Sequence, residues 1–197
     1  MDTPVRDRLP NGEDTGQKNA DAPWLIELKE WLRMAVIGML IVLLMNLFIV
    51  NLSTVRGYSM HPTLTEGQHV LVNKWVFHFW QPQRGEVVVL RDPQPDGDGR
   101  KLLIKRVVGV PGDTVEIRTG QLYINGKLQL EPYTVSMIEG DNYGPLKLEA
   151  SRFFVMGDNR HYGSSKDSRY FGSVSRQLIS GRAEFVFWPW AERKLLR

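Results

Sequence analysis

Chemistry in this chain starts at Ser59, within Arg56-Gly57-Tyr58-Ser59-Met60-His61-Pro62-Thr63-Leu64. A serine hydroxyl is a poor nucleophile until a base takes its proton. No Gly-x-Ser-x-Gly elbow surrounds Ser59, which sets aside the strand-turn-helix hydrolase context. Four histidines could act as the base: His61, His69, His78 and His161. His61 stands next but one to Ser59, and the other three sit in no recognisable motif. A lysine is the alternative base, and the candidate is Lys105 in Leu102-Leu103-Ile104-Lys105-Arg106-Val107-Val108-Gly109. Only about one free lysine in two thousand is neutral at pH 7, and apolar burial raises that share. Leu102, Leu103, Ile104, Val107 and Val108 offer such a setting. Strand alternation puts Leu103, Lys105 and Val107 on one face. By residue types alone, a Ser-Lys pair, a Ser-His pair and an edge-strand lysine facing water all stand open.

Composition removes other chemistries. There is no cysteine, which excludes thiol catalysis, disulfides and thiolate metal sites. A net charge of +3, without a dense Lys/Arg patch, argues against a nucleic-acid partner. Asp92-Pro93-Gln94-Pro95-Asp96-Gly97-Asp98-Gly99 lacks EF-hand spacing and a closing Glu, so it reads as a solvated turn and no metal is expected.

The elements that must position Ser59 and Lys105 come in two parts. From Met34 to Val55 no residue is charged, and the run Met34 to Leu52 would span about 28 Å as a helix, close to a bilayer core. It begins too late and runs too long for a cleaved signal peptide. A single transmembrane anchor over 31–54 is therefore expected, after a disordered cytoplasmic tail over 1–30. Lys18, Lys29 and Arg33 before the run favour a cytoplasmic N-terminus and an extracytoplasmic domain over 55–197. That domain reads as β-rich. Segments at 70–72, 87–90, 102–110, 115–117, 153–156 and 183–188 have strand composition, and 174–178 suits one helical turn. Gln121 to Ile124 and Lys127 to Leu130 flank Asn125-Gly126, a hairpin with a type I′ turn. Trp75-Val76-Phe77-His78-Phe79-Trp80 is either core or an interfacial patch.

Four blocks then occur in order after the anchor: Ser59-Met60-x-Pro62-Thr63-Leu64, Arg84-Gly85-Glu86-Val87-Val88, Lys105-Arg106-Val107-Val108-Gly109-x-Pro111-Gly112-Asp113, and Gly157-Asp158-Asn159-Arg160 with Ser165-x-Asp167-Ser168-Arg169. The ordered set resembles bacterial type I signal peptidases, the leader-peptidase family of Ser/Lys-dyad serine proteases, in a Gram-positive-like form. The resemblance implies a mainly β fold, one N-terminal transmembrane helix followed by a β-rich signal-peptidase-type catalytic domain. It implies a membrane-anchored serine endopeptidase that removes N-terminal signal peptides through an acyl-enzyme. Ser59 would be the nucleophile and Lys105 the general base.

Ser165 would orient the Lys105 amine, with Ser164 as the alternative because 161–164 is longer than the family pattern. Asp167 and Arg169 would brace that wall, and Asp158 and Arg160 would hold the turn. Gly57 stands where some relatives place a serine that donates to the oxyanion. The Ser59 N–H is then one donor and the second is unassigned. Val55, Leu64 and Ile104 either line shallow pockets for small substrate residues or pack as core. The implied partners are secretory preproteins as substrates, membrane lipid and the secretion translocon. No cofactor is implied, and the location is the cell membrane. The reading from another class is a non-catalytic anchored β-domain that binds extracytoplasmic proteins.

Overall fold

The computed structural model describes residues 23–44, 50–95 and 102–196. The chain divides into two compact units, Met1–Val42 and Leu43–Arg197. Helix α1 (Pro23–Leu44) has 22 residues. Proline suits a first helical position, since the N–H it lacks would have no partner there. Glu27, Lys29, Glu30 and Arg33 occupy the first half of α1, and the uncharged stretch from Met34 to Leu44 rises only about 16 Å. No helix among the described residues is long and apolar enough to cross a membrane.

The uncharged run is thus not one helix through Leu52. Strand β1 (Val50–Thr54) pairs with β2 (His69–Asn73) from Val50↔Asn73 to Thr54↔His69, and this ladder takes the backbone groups that a continuing helix would need. Residues 45–49 lie outside the described ones, as does the expected tail over 1–22. The part of that tail from Pro23 onward is helical.

The second unit is mainly β. After β2 come the one-turn helix α2 (Val76–Phe79), then β3 (Val87–Arg91), β4 (Leu102–Gly109), β5 (Thr114–Arg118), β6 (Gln121–Ile124), β7 (Lys127–Leu128), β8 (Tyr143–Lys147) and β9 (Arg152–Met156). The short helix α3 (Ser168–Phe171), β10 (Val174–Ser175), β11 (Ile179–Trp188) and β12 (Lys194–Leu195) complete it. Among the described residues, one sheet runs β1-β2-β11-β3-β4-β9-β10 with β12 beside β11, and a second runs β7-β6-β5-β8. Asn125 (φ 53°) and Gly126 (φ 74°) form the expected left-handed turn between β6 and β7. The single turn expected at 174–178 is instead a strand followed by a 3-10 turn.

Three apolar clusters hold the unit together. One gathers Val88, Leu90, Leu103, Val107, Phe153 and Val155 under the large sheet. A second lies under the small sheet, around Val115, Ile117, Leu122, Phe154 and Met156. The third joins Val55, Met60, Leu64, Val70, Val87, Ala183 and Val186, and it anchors the segment that carries Ser59. Burying Met60 and Leu64 contributes about 1.5–3 kcal/mol each.

Within the aromatic run Val76 and Phe77 are core, while Trp75, Phe79 and Trp80 are exposed. Asp92 departs from the solvated-turn reading. It is buried, paired with Lys166 at 3.1 Å, and accepts the Gln94 N–H at 2.9 Å. The rest of that turn, from 96 on, lies outside the described residues.

Candidate active site

Ser59 lies on an excursion between β1 and β2, and Lys105 lies in the first half of β4. The Lys105 amine donates to Ser59 Oγ at 2.7 Å and to the Ile104 carbonyl at 2.9 Å. Lys105 is 2% exposed, and its strand neighbours Leu103 and Val107 both pack into the first cluster. Low-dielectric surroundings of this kind disfavour an ammonium relative to a neutral amine.

None of the four histidines hydrogen-bonds Ser59. His69 contacts Thr54 Oγ1, His78 stacks near Trp75, and His161 pairs with Glu139. The His61 ring is exposed, although its backbone N–H donates to Tyr58 C=O at 3.1 Å. Of the alternatives that residue types left open, only the Ser-Lys pair has hydrogen-bonding geometry.

The turn Gly157-Asp158-Asn159-Arg160 locks the nucleophile's backbone. The Asn159 N–H donates to Ser59 C=O, and its side-chain amide donates to Tyr58 C=O, both at 3.1 Å. A Cβ at Gly157 would lie 2.3 Å from the Ser59 carbonyl oxygen, so only glycine permits this approach.

Asp158 and Arg160 hold the turn through different partners. Asp158 takes a bidentate bond from buried Arg106, at 2.9 and 2.6 Å, and Arg106 also donates to Gly85 C=O at 2.7 Å and Thr63 Oγ1 at 3.3 Å. Arg160 donates to Gly157 C=O at 2.8 Å and, in bidentate fashion, to Glu131 at 2.6 Å. Planar bidentate pairs give geometric definition as well as attraction. Arg106, Asn159 and Glu131 were not singled out from the sequence. The only available signals were that Arg106 follows the lysine and that Asn159 sits inside a motif block.

Asp167 and Arg169 pair as expected, at 2.9 and 2.8 Å, and Asp167 also accepts the Gly157 N–H at 3.0 Å. Burial pushes the Asp167 carboxyl up, but Arg169, the Gly157 N–H and nearby Ser165 outweigh it and hold the group below the usual aspartate range. Ser165 packs against Gly157, where an added Cβ would sit 2.4 Å from its Oγ. Its buried hydroxyl makes no hydrogen bond of ordinary geometry, so it does not bond the Lys105 amine. The Ser164 N–H donates to His161 C=O at 3.2 Å.

A groove of about 490 Å³ passes the pair, lined by Leu52 to Gly57 and Ser59-Met60 on one side and by Leu102 to Lys105 on the other. Val55 and Ile104 line it. Leu64 does not; it is fully buried in the third cluster. Both walls are strand edges. β1 ends its sheet, and β9 pairs with β4 only from Arg106 onward. The Gly57 N–H is engaged by Glu66 Oε1 at 3.1 Å. Among the described residues no three His, Asp or Glu side chains gather so as to hold a metal ion.

Known proteins match the chain along most of its length. The family model for signal peptidase, peptidase S26, covers residues 28–188. Signal peptidase I of Bacillus licheniformis is 35% identical over 191 residues, covering 91% of this chain and 95% of that protein. Signal peptidase I S of Bacillus subtilis (strain 168) is 39% identical over 176 residues, covering 84% and 91%. Signal peptidase IB of Staphylococcus aureus (strain Mu50) is 36% identical over 185 residues, covering 85% and 93%. A crystal structure of signal peptidase I from Enterococcus faecalis V583 is 32% identical, covers 52% of this chain and 97% of that one, and superposes with a TM-score of 0.43. The chain belongs to the signal peptidase family, peptidase S26.

Proposed function

We propose that the chain is a membrane-tethered serine endopeptidase that removes signal peptides from secretory preproteins, with Ser59 as nucleophile and Lys105 as general base. Peptidase action on signal peptides follows from family membership. The 2.7 Å contact between Lys105 Nζ and Ser59 Oγ carries the residue assignment.

With the amine neutral, that contact reverses: the Ser59 O–H donates to the nitrogen lone pair. Lys105 then takes the proton as Ser59 Oγ attacks the scissile carbonyl. The resulting ammonium gives a proton to the leaving amine. The neutral amine next activates water, which hydrolyses the acyl-enzyme and releases Ser59. The Ser59 N–H serves as one oxyanion donor.

An extended substrate fits the groove as an added strand, because both walls carry strand edges. Val55 and Ile104 restrict the adjoining space to small side chains. Leu64 supports Val55 from the core, so its part is packing. Asp167 and Arg169 hold Gly157, and through it the Ser59 backbone.

The tether is the uncharged sequence that precedes β1, Met34 to Ile49. From Ile49 to Ser59 the chain reaches at most about 36 Å, which keeps the nucleophile near a bilayer that holds that sequence. Signal peptides emerge from the same surface. The modest excess of positive charge before the run places the N-terminus in the cytoplasm and the β unit outside it.

A non-catalytic binding domain gives no reason for a buried lysine on a groove-lining serine. Replacing Ser59 or Lys105 by Ala should abolish cleavage of a purified preprotein while the fold is kept, and His61→Ala should retain substantial activity. Full cleavage by either dyad variant would sink the assignment.

A further inference from the structure

The excursion that carries Ser59 is closed at its base and anchored on its far side. Val55 N–H donates to Gln68 C=O at 2.8 Å, and Gly67 N–H donates to Val55 C=O at 3.0 Å. Beyond the serine, Met60 and Leu64 are 2% and 0% exposed. The near side, Arg56-Gly57-Tyr58, is not buried: Arg56 and Tyr58 are exposed, and Gly57 takes a left-handed φ of 80°. A glycine joint of this kind has wide conformational freedom unless something fixes it.

One side chain spans that gap. Glu66 Oε1 accepts the Gly57 N–H at 3.1 Å, and the Tyr58 hydroxyl lies close to the same carboxylate. From the opposite side, Asn159 holds the carbonyls of Tyr58 and Ser59. Glu66 thus holds the Arg56–Gly57 peptide and Asn159 the two peptides on either side of Ser59, with Glu66 as the grip nearer β1.

We propose that Glu66 is a positioning residue for the nucleophile. By bonding the Gly57 N–H, it fixes the near side of the excursion and keeps Ser59 Oγ in hydrogen-bonding reach of Lys105. This rests on Ser59 and Lys105 being the reacting pair. Glu66 does not line the groove, so it acts on the chemical step and not on substrate affinity. Reacting groups tolerate little displacement, and a misplacement of about 1 Å can cost on the order of 100-fold in rate. A loosened joint that is still held by Asn159 costs less than that.

The test is preprotein cleavage by the full chain with Glu66→Ala, Glu66→Gln and Tyr58→Phe, together with amide hydrogen exchange over the 55–59 segment. Glu66→Ala should lower kcat about tenfold with KM unchanged within about twofold, and should speed exchange at Gly57. Glu66→Gln keeps an acceptor oxygen and should recover to within about threefold of the parent. Tyr58→Phe keeps the Gly57 bond and should give a smaller loss, again in kcat. Should Glu66→Ala fail to fold, Tyr58→Phe and Glu66→Gln decide the matter. Parental kcat in Glu66→Ala, equal losses in the Ala and Gln variants, or a loss carried by KM would overturn the proposal. Failure of the underlying reading would look different, since Ser59→Ala would then still cleave whatever the Glu66 variants did.

Discussion

Asp167 bears on the proposed reacting pair through the backbone that carries Ser59. Its carboxylate receives three bonds from Arg169, one of them from the backbone, and one from the Gly157 N–H, and Gly157 lies against the Ser59 carbonyl. Its carboxyl is held below the usual range in the folded protein, so the stability it contributes is complete above the unfolded aspartate pKa of about 3.9 and is lost as pH falls through the folded value. Asp167→Asn leaves Arg169 without its charge partner and should cost about 3–5 kcal/mol at pH 7. Urea unfolding at pH 7 and at pH 3 should show that deficit shrinking in acid. An equal deficit at both pH values would contradict this role. At this scale the sequence was informative about Ser59, Lys105, Asp167 and Arg169, whose motif blocks keep their order. It was silent on Glu66 and Glu131, which stand in no motif and matter only because the chain folds back on itself. The expected Ser165–Lys105 bond is not formed, because the buried Ser165 hydroxyl faces Gly157 instead.

Strands with β-branched runs were legible because their composition matches a pleated, half-buried surface. Thus β3, β4, β5, β6, β9 and the later part of β11 fall where the pattern puts them. Others were hidden for physical reasons. β1 lies at the end of an uncharged run whose composition also suits a helix, and only its pairing with β2 separates the two. β8 contains Gly144 and Pro145, residues that argue against a central strand, and it is tolerated at the edge of the small sheet. The groove was the least legible feature. Among the described residues, it exists because β9 leaves one edge of the first half of β4 open while β1 ends the same sheet, and no local pattern carries that information.

For the whole molecule, the proposed reacting pair stands close to β1, and an uncharged sequence precedes β1. The full chain should remain with membranes through an alkaline carbonate wash and need detergent for release; recovery in the soluble fraction would contradict the tether. The central claim is narrower: the buried Lys105 amine is the base for Ser59. Its most direct test is the pH dependence of kcat/KM for preprotein cleavage, which reports the essential groups of the free enzyme. The account predicts an acidic limb well below the range where free lysine titrates, about 10.4, with its position unchanged by His61→Ala. A limb near 6.5 that disappears in His61→Ala would assign the base to histidine and contradict the account.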